Sequence, residues 1–176
     1  FNLGSINKIF TRVAIGQLVE NGKLSLADTI GKILPDYPNR EAAARVTVSQ
    51  LLDMTSGIGD FFGNKYRETP KDRIRSLEDY LPFFAAEPLL FAPGSQRRYS
   101  NGGYIVLGLI VEKASGQSDF DYVRDQVYGP AGMNGAGHLE ADIPPAGVAS
   151  GYTRGWDDAE HGNEPRRNNI YTRPAR

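Results

Sequence analysis

The sequence predicts a mainly α fold with long connecting loops and few or no strands. Three observations carry this expectation. Apolar residues recur at three- and four-residue spacings over two long segments, helix-start patterns precede several shorter ones, and Gly, Pro and Asn punctuate what lies between. The 176 residues amount to about one domain of ordinary size. With 40% apolar residues, nine Tyr and eight Phe, the chain has enough apolar surface to bury a core.

Over residues 5–20, Ile6, Ile9, Phe10, Val13, Leu18 and Val19 follow helical spacing, and Gly22 supplies a stop. Residues 24–34 read as short helical turns closed by Pro35. Thr47 and Gln50 form a capping box that starts a short helix through Met54, and residues 55–60 (TSGIGD) read as loop. Residues 63–71 are polar and aperiodic, which predicts a surface excursion. Ser76 with Asp79 marks another start, for a helix through Ala86. An irregular loop punctuated by Pro88, Pro93 and Gly94 then leads to Tyr99-Ser100-Asn101. Residues 104–114 are apolar on nearly every side, as in a deeply buried helix, and Gly116 ends them. Ser118 with Asp121 starts a last helix. Beyond residue 134 the chain is rich in Gly, Pro and Asn, with at most short strands near Val148 and Tyr152.

Composition excludes several classes of function. The 20 basic and 21 acidic side chains leave a net charge of −1, with no general attraction for nucleic acid or anionic lipid. The absence of Cys rules out thiolate metal sites and a cysteine nucleophile, and His138 and His161 are too few and too separated for a histidine metal site. No apolar run approaches the roughly 18 residues that span a bilayer. In residues 151–176, Tyr152, Trp156 and Tyr171 interleave with five Arg, but Asp157, Asp158, Glu160 and Glu164 nearly cancel that charge, so a solvated loop is expected rather than a single-strand binding surface. The cluster Asp157, Asp158, Glu160 and His161 has no ligand spacing and reads as an acidic loop.

One constellation points to chemistry. Ser5 and Lys8, three residues apart at a helix start, lie on one helical face, where an amine can reach a hydroxyl. A serine is a weak nucleophile until a base takes its proton, and the N–H groups of a helix start can hold a developing oxyanion. The pattern is weak by itself: ten Ser and six Lys predict about 0.3 chance occurrences. A capping serine followed by a solvated lysine is the plainer alternative. Tyr99-Ser100-Asn101 is a YxN pattern, and Tyr37-Pro38-Asn39 repeats its spacing, so spacing alone does not select between the two.

Context selects. FNLGSINKIFTRVAIGQLVENGKL at the start, LSLADTIGKILPDYP in register after it, VTVSQLLDMTSGI, FAPGSQRRYSNGGYIVLGLIVEKASGQ, VYGPAGM and GYTR together resemble, in order, the serine β-lactamase and penicillin-binding-protein-like superfamily. The similarity is greatest to its class C branch and the family VIII esterases, and it runs over most of residues 1–155. The resemblance implies that this is the helical region of an α+β fold. It implies Ser5 as the acylated nucleophile, Lys8 as the lysine that activates it, Tyr99 as the tyrosine that shuttles protons to and from the leaving group, and Asn101 as the amide that orients lysine and substrate. The implied substrate is a small acyl compound, whether β-lactam, peptidoglycan stem peptide or ester, with no metal or organic cofactor. Arg12, one turn beyond Lys8, reads as an exposed surface arginine.

The sequence departs from the family pattern in two ways. Met54 stands where the family often has His, which reads as a local packing change. No KTG or HxG match, the family's third motif, occurs before Arg176. Residues 1–176 are therefore expected to form the middle portion of a larger domain, without the strands that complete the sheet and supply a second oxyanion N–H, and with weak or no activity as a fragment. Exposed sheet-facing surface predicts a second copy or a complementing chain. The alternative from another class is a catalytically inert binding or assembly module that keeps the helical scaffold. Many members of the family are periplasmic or secreted, and residues 1–176 hold no signal-peptide pattern that would specify a compartment.

Overall fold

Helix α1 (Lys8–Glu20) follows a 3-10 turn at Gly4–Asn7 and packs beside the central helix α6 (Asn101–Ser115) in a computed structural model that describes residues 3–140, 143, 146–149, 151–153 and 167–168. Short helices surround this pair: α2 (Ile30–Ile33), α3 (Arg40–Arg45), α4 (Val48–Leu52), α5 (Asn64–Glu68) and α7 (Asp119–Val123). The described residues are mainly helical. Their one sheet is a two-residue pairing of β1 (Tyr152–Thr153) with β2 (Arg167–Asn168), antiparallel, with Tyr152 opposite Asn168. Val148 lies in irregular chain rather than a strand.

The core lies where α1, α4, α6 and α7 meet. Ala14, Ile15 and Leu18 from α1, Leu51 from α4, Val106, Leu107, Ile110 and Val111 from α6 and Val123 from α7 are all essentially inaccessible. Helix α6 is buried on nearly all sides, as its composition predicts, and ends at Gly116 with φ +77°. The capping box at α4 is complete: Gln50 N–H donates to Thr47 Oγ1 at 3.3 Å and Thr47 N–H to Gln50 Oε1 at 3.0 Å.

The apolar residues of the first helical segment divide between two faces. Ala14, Ile15 and Leu18 face the core, whereas Ile6, Ile9 and Val13 are 57%, 56% and 41% exposed and form an apolar stripe, with Leu3 exposed beside them.

Two expectations need correction. Residues 63–71 are not a purely surface excursion, because they contain α5, whose Tyr66 is buried among Phe61, Tyr80 and Phe83. Lys71 is buried too: its Nζ donates to the carbonyls of Tyr66, Arg67 and Thr69, closing the end of α5, and lies over the Tyr66 ring. One aromatic anchor suffices here, and a single buried ring in a polar segment leaves no periodic signal. The segment after Ser76 is a 3-10 helix, Glu78–Phe83, rather than an α-helix through Ala86. Its start is as expected, since Asp79 N–H donates to Ser76 Oγ and Ser76 N–H to Asp79 Oδ2. Pro82, which lacks an N–H, cannot take its place in an α-helical ladder.

Candidate functional site

The ends of α1 and α6 bring together residues from distant parts of the sequence. Tyr99-Ser100-Asn101 places three side chains in three directions at the start of α6. Ser100 points inward: its hydroxyl accepts from Gly103 N–H at 2.8 Å, capping α6, and donates to Gly59 O at 2.8 Å. Asn101, the first residue of the helix, turns toward α1, and Tyr99 stays 53% exposed over the same opening.

Ser5 does not cap a helix. It sits inside the 3-10 turn and makes no capping hydrogen bond. Instead its Oγ accepts from the Tyr99 hydroxyl at 2.6 Å and from Lys8 Nζ at 3.3 Å. The Lys8 ammonium also donates to Asn101 Oδ1 at 2.8 Å. It lies 5.0 Å from the centroid of the Tyr99 ring and 5.4 Å from that of Tyr104, within cation–π range of both. Ser5, Lys8, Tyr99 and Asn101 are thus one connected hydrogen-bonded group. Gly4, immediately before Ser5, has φ +53°, a left-handed conformation that L side chains seldom adopt.

The other tyrosine–asparagine pair lies elsewhere. Tyr37 is buried, with its phenol pushed well above its ordinary value by burial, and Asn39 caps α3 by accepting from Ala42 N–H at 2.9 Å.

Four residues outside the set of Ser5, Lys8, Tyr99 and Asn101 join the site. Asp60 Oδ2 accepts from both Asn101 Nδ2 at 2.7 Å and Asn101 N–H at 3.1 Å. Tyr104, one turn after Asn101, accepts from Arg12 Nε at 2.7 Å, and the Arg12 guanidinium also donates to Leu52 O. Arg12 is exposed, as expected, yet tied to α6 and α4. Its bond to Tyr104 raises its already high pKa, against a smaller cost of burial. Met54 has φ +63°, and its sulfur accepts from Ser100 N–H at 3.4 Å, so the residue standing where the family often has His serves the backbone of the tyrosine segment. An N-capping Ser before an apolar run is a signal that would have found Ser100. Nothing local to Asp60 or Tyr104 marks them, since their partners are 41 and 92 positions away.

Electrostatics at Tyr99 make its phenol more acidic than an ordinary tyrosine. Burial pushes its phenol up, but the Lys8 ammonium and the hydrogen bond to Ser5 outweigh burial and the opposing charge of Asp60, and the pKa falls below its usual value near 10. Beside Asp60 a cleft of about 470 Å³ opens between Phe84, Glu87, Leu89, Leu90 and Arg98. Ser5 is not among its walls and lies on open surface.

Comparison with known proteins gives one consistent result. The family model described as Beta-lactamase matches residues 1–174. The chain is 36% identical over 136 residues to Penicillin-binding protein 4* of Bacillus subtilis, which covers 76% of this chain and 29% of that protein. It is 30% identical over 158 residues to a Beta-lactamase of Escherichia coli, covering 88% of this chain and 39% of that one. Among solved structures, the penicillin binding protein from Bacillus halodurans superposes with a TM-score of 0.83 at 36% identity, over 96% of this chain and 51% of that chain. The chain spans about a third of the length of these two curated relatives and half of the solved one.

Proposed function

The chain belongs to the Beta-lactamase family, and from that premise we propose that it carries the acyl-transfer site of a serine hydrolase in which Ser5 is acylated. The observation that supports this most is the convergence on Ser5 Oγ of the Tyr99 hydroxyl at 2.6 Å and Lys8 Nζ at 3.3 Å, with Lys8 held in turn by Asn101. Tyr99 in its phenolate form, stabilised by the adjacent Lys8 ammonium, takes the Ser5 proton as Oγ bonds to the acyl carbon. The same proton then passes from Tyr99 to the leaving group as the acyl bond breaks. Water releases the acyl group by the reverse sequence, giving its proton to Tyr99 and regenerating Ser5. Asn101 holds Lys8 and offers its amide to the substrate.

The substrate class is a small acyl compound, with β-lactam, peptidoglycan stem peptide and ester as the three candidates, because all three are opened by the same four residues. Activity of the isolated chain is expected to be weak. A missing oxyanion donor costs roughly 10²- to 10³-fold in rate, and the open surface around Ser5 leaves substrate poorly positioned.

Residues 1–176 are read as part of a larger hydrolase domain. The lengths of the relatives and the exposed stripe of Ile6, Ile9 and Val13 support this reading. The proposed cover for the stripe is a segment that supplies sheet, and adding such a segment in trans should raise the labelling rate of Ser5. The reading as an inert binding module is disfavoured by the connected network around Ser5, since an unused serine and lysine have no need to meet a tyrosine 94 positions away.

The direct test is incubation with a reactive penicillin or an activated ester, followed by mass analysis. An adduct on Ser5 that disappears in Ser5→Ala is expected. An adduct that persists in Ser5→Ala would overturn the assignment.

A further inference from the structure

We propose that Asp60 is a positioning residue of the Ser5 site, whose carboxylate fixes which end of the Asn101 side-chain amide faces Lys8. This rests on the reading of Ser5, Lys8, Tyr99 and Asn101 as the reacting group.

An amide side chain presents a donor end and an acceptor end of almost identical shape, so its direction is set only by its partners. Asn101 has one partner of each kind. Its Nδ2 donates to Asp60 Oδ2 at 2.7 Å while its Oδ1 accepts from Lys8 Nζ at 2.8 Å. Turned over, the amide would set NH2 against the Lys8 ammonium and its oxygen against the carboxylate, donor to donor and acceptor to acceptor. Asp60 also accepts from Asn101 N–H at 3.1 Å, one of the N–H groups at the start of α6 that has no partner within the helix. One carboxylate oxygen therefore holds both the backbone and the side chain of Asn101.

Asp60 is itself held. The next residue, Phe61, is buried against Tyr66 and Tyr80. The preceding residue, Gly59, accepts from the Ser100 hydroxyl. Its other oxygen, Oδ1, accepts from Phe62 N–H at 3.4 Å, which closes a local turn. An exposed carboxylate at the end of a loop thus behaves as a fixed point against which Asn101, and through it Lys8, is set. Asp60 touches neither Ser5 nor Tyr99 by hydrogen bond, so its action runs through Asn101.

The test compares the 176-residue chain with Asp60→Ala and Asp60→Asn by two readouts. The first is the rate of Ser5 labelling by an activated ester, resolved into its maximal rate and its half-saturating concentration. Asp60→Ala is expected to lower the maximal rate by about 10- to 100-fold with little change in half-saturation, and Asp60→Asn, which keeps an acceptor oxygen, to recover most of it. The second readout is the Asn101 side-chain NH2 resonance by 15N NMR, which needs no activity. It is expected to move to the position of a solvated amide in Asp60→Ala and to stay near the parent position in Asp60→Asn, with circular dichroism unchanged in both. An unmoved Asn101 resonance in Asp60→Ala, or labelling at the parent rate, overturns the proposal. Failure of the parent chain to label at all counts against the hydrolase reading, and the resonance then decides the role of Asp60 by itself.

Discussion

Lys8 Nζ donates to Asn101 Oδ1 at 2.8 Å across 93 positions of sequence, joining the start of α1 to the start of α6. One turn along each helix, Arg12 meets Tyr104 in a second cross-link. The two bonds set the rotation of α1 against α6 on which the Ser5–Tyr99 contact depends.

Replacing Lys8 with Met keeps an apolar stem of similar length and deletes the donor that reaches Asn101. Asn101 Oδ1 then loses its partner, at a cost of about 1 to 2 kcal/mol. Urea unfolding should show the lower midpoint, and Ser5 labelling should fall at least about 100-fold.

Gly102 lies where loop 55–60 presses on the start of α6. A Cβ there would stand 2.5 Å from Gly59 O and 2.8 Å from a Phe84 ring carbon. Gly102→Ala should destabilise by about 1 to 3 kcal/mol, because a backbone carbonyl cannot rotate away, and it should also displace Asp60 from Asn101. Gly16→Ala is the contrast: that position is in mid-helix with nothing within 4 Å of the added methyl. It should stabilise by about 0.5 to 1 kcal/mol. Thermal melts of the two variants should move in opposite directions.

The lowered pKa of Tyr99 gives the labelling reaction a direction with pH. In the proposed mechanism phenolate is the accepting form, so the rate should rise with pH, with its midpoint below that of an ordinary tyrosine. Tyr99→Phe should remove that rise and lower the rate at least about 100-fold. The measurement is the pH profile of Ser5 labelling in parent and variant.

Asp119 is buried, and both burial and the adjacent Glu112 push its carboxyl up to about 6. Its Oδ1 has no hydrogen-bond partner. Between pH 4 and 6 the folded chain keeps a proton that the unfolded chain has released, so this group's stabilisation is full below about pH 4 and is lost as pH rises through about 6. Asp119→Asn should therefore stabilise the chain by roughly 2 to 3 kcal/mol at pH 8, with the gain vanishing near pH 4. Denaturant midpoints at the two pH values measure this.

Local signals made much of the helical scaffold legible. The Thr47–Gln50 box, the all-apolar run of α6 with Gly116 after it, and the Ser118 cap are each written within a few residues, and each stands in the structure. Tyr66 and Lys71 were not legible, because one buried ring among polar neighbours has no period and a lysine buried by three carbonyls looks like any surface lysine. The Tyr37 pattern shows the reverse error that spacing invites: a catalytic-looking tripeptide whose Asn serves as a helix cap.

The sequence by itself determined that the chain is mainly helical, that it resembles the serine β-lactamase superfamily, and that Ser5, Lys8, Tyr99 and Asn101 are the residues to watch. These follow from periodicity, caps and ordered motifs, all of which are local or collinear. Only the tertiary structure decided that Ser5 meets Tyr99 rather than capping a helix, that the Lys8 ammonium lies within reach of two aromatic rings, and that Asp60 holds Asn101. Those contacts join residues 41 to 96 positions apart, and their geometry comes from the packing of α1 and loop 55–60 against α6, which no local pattern encodes.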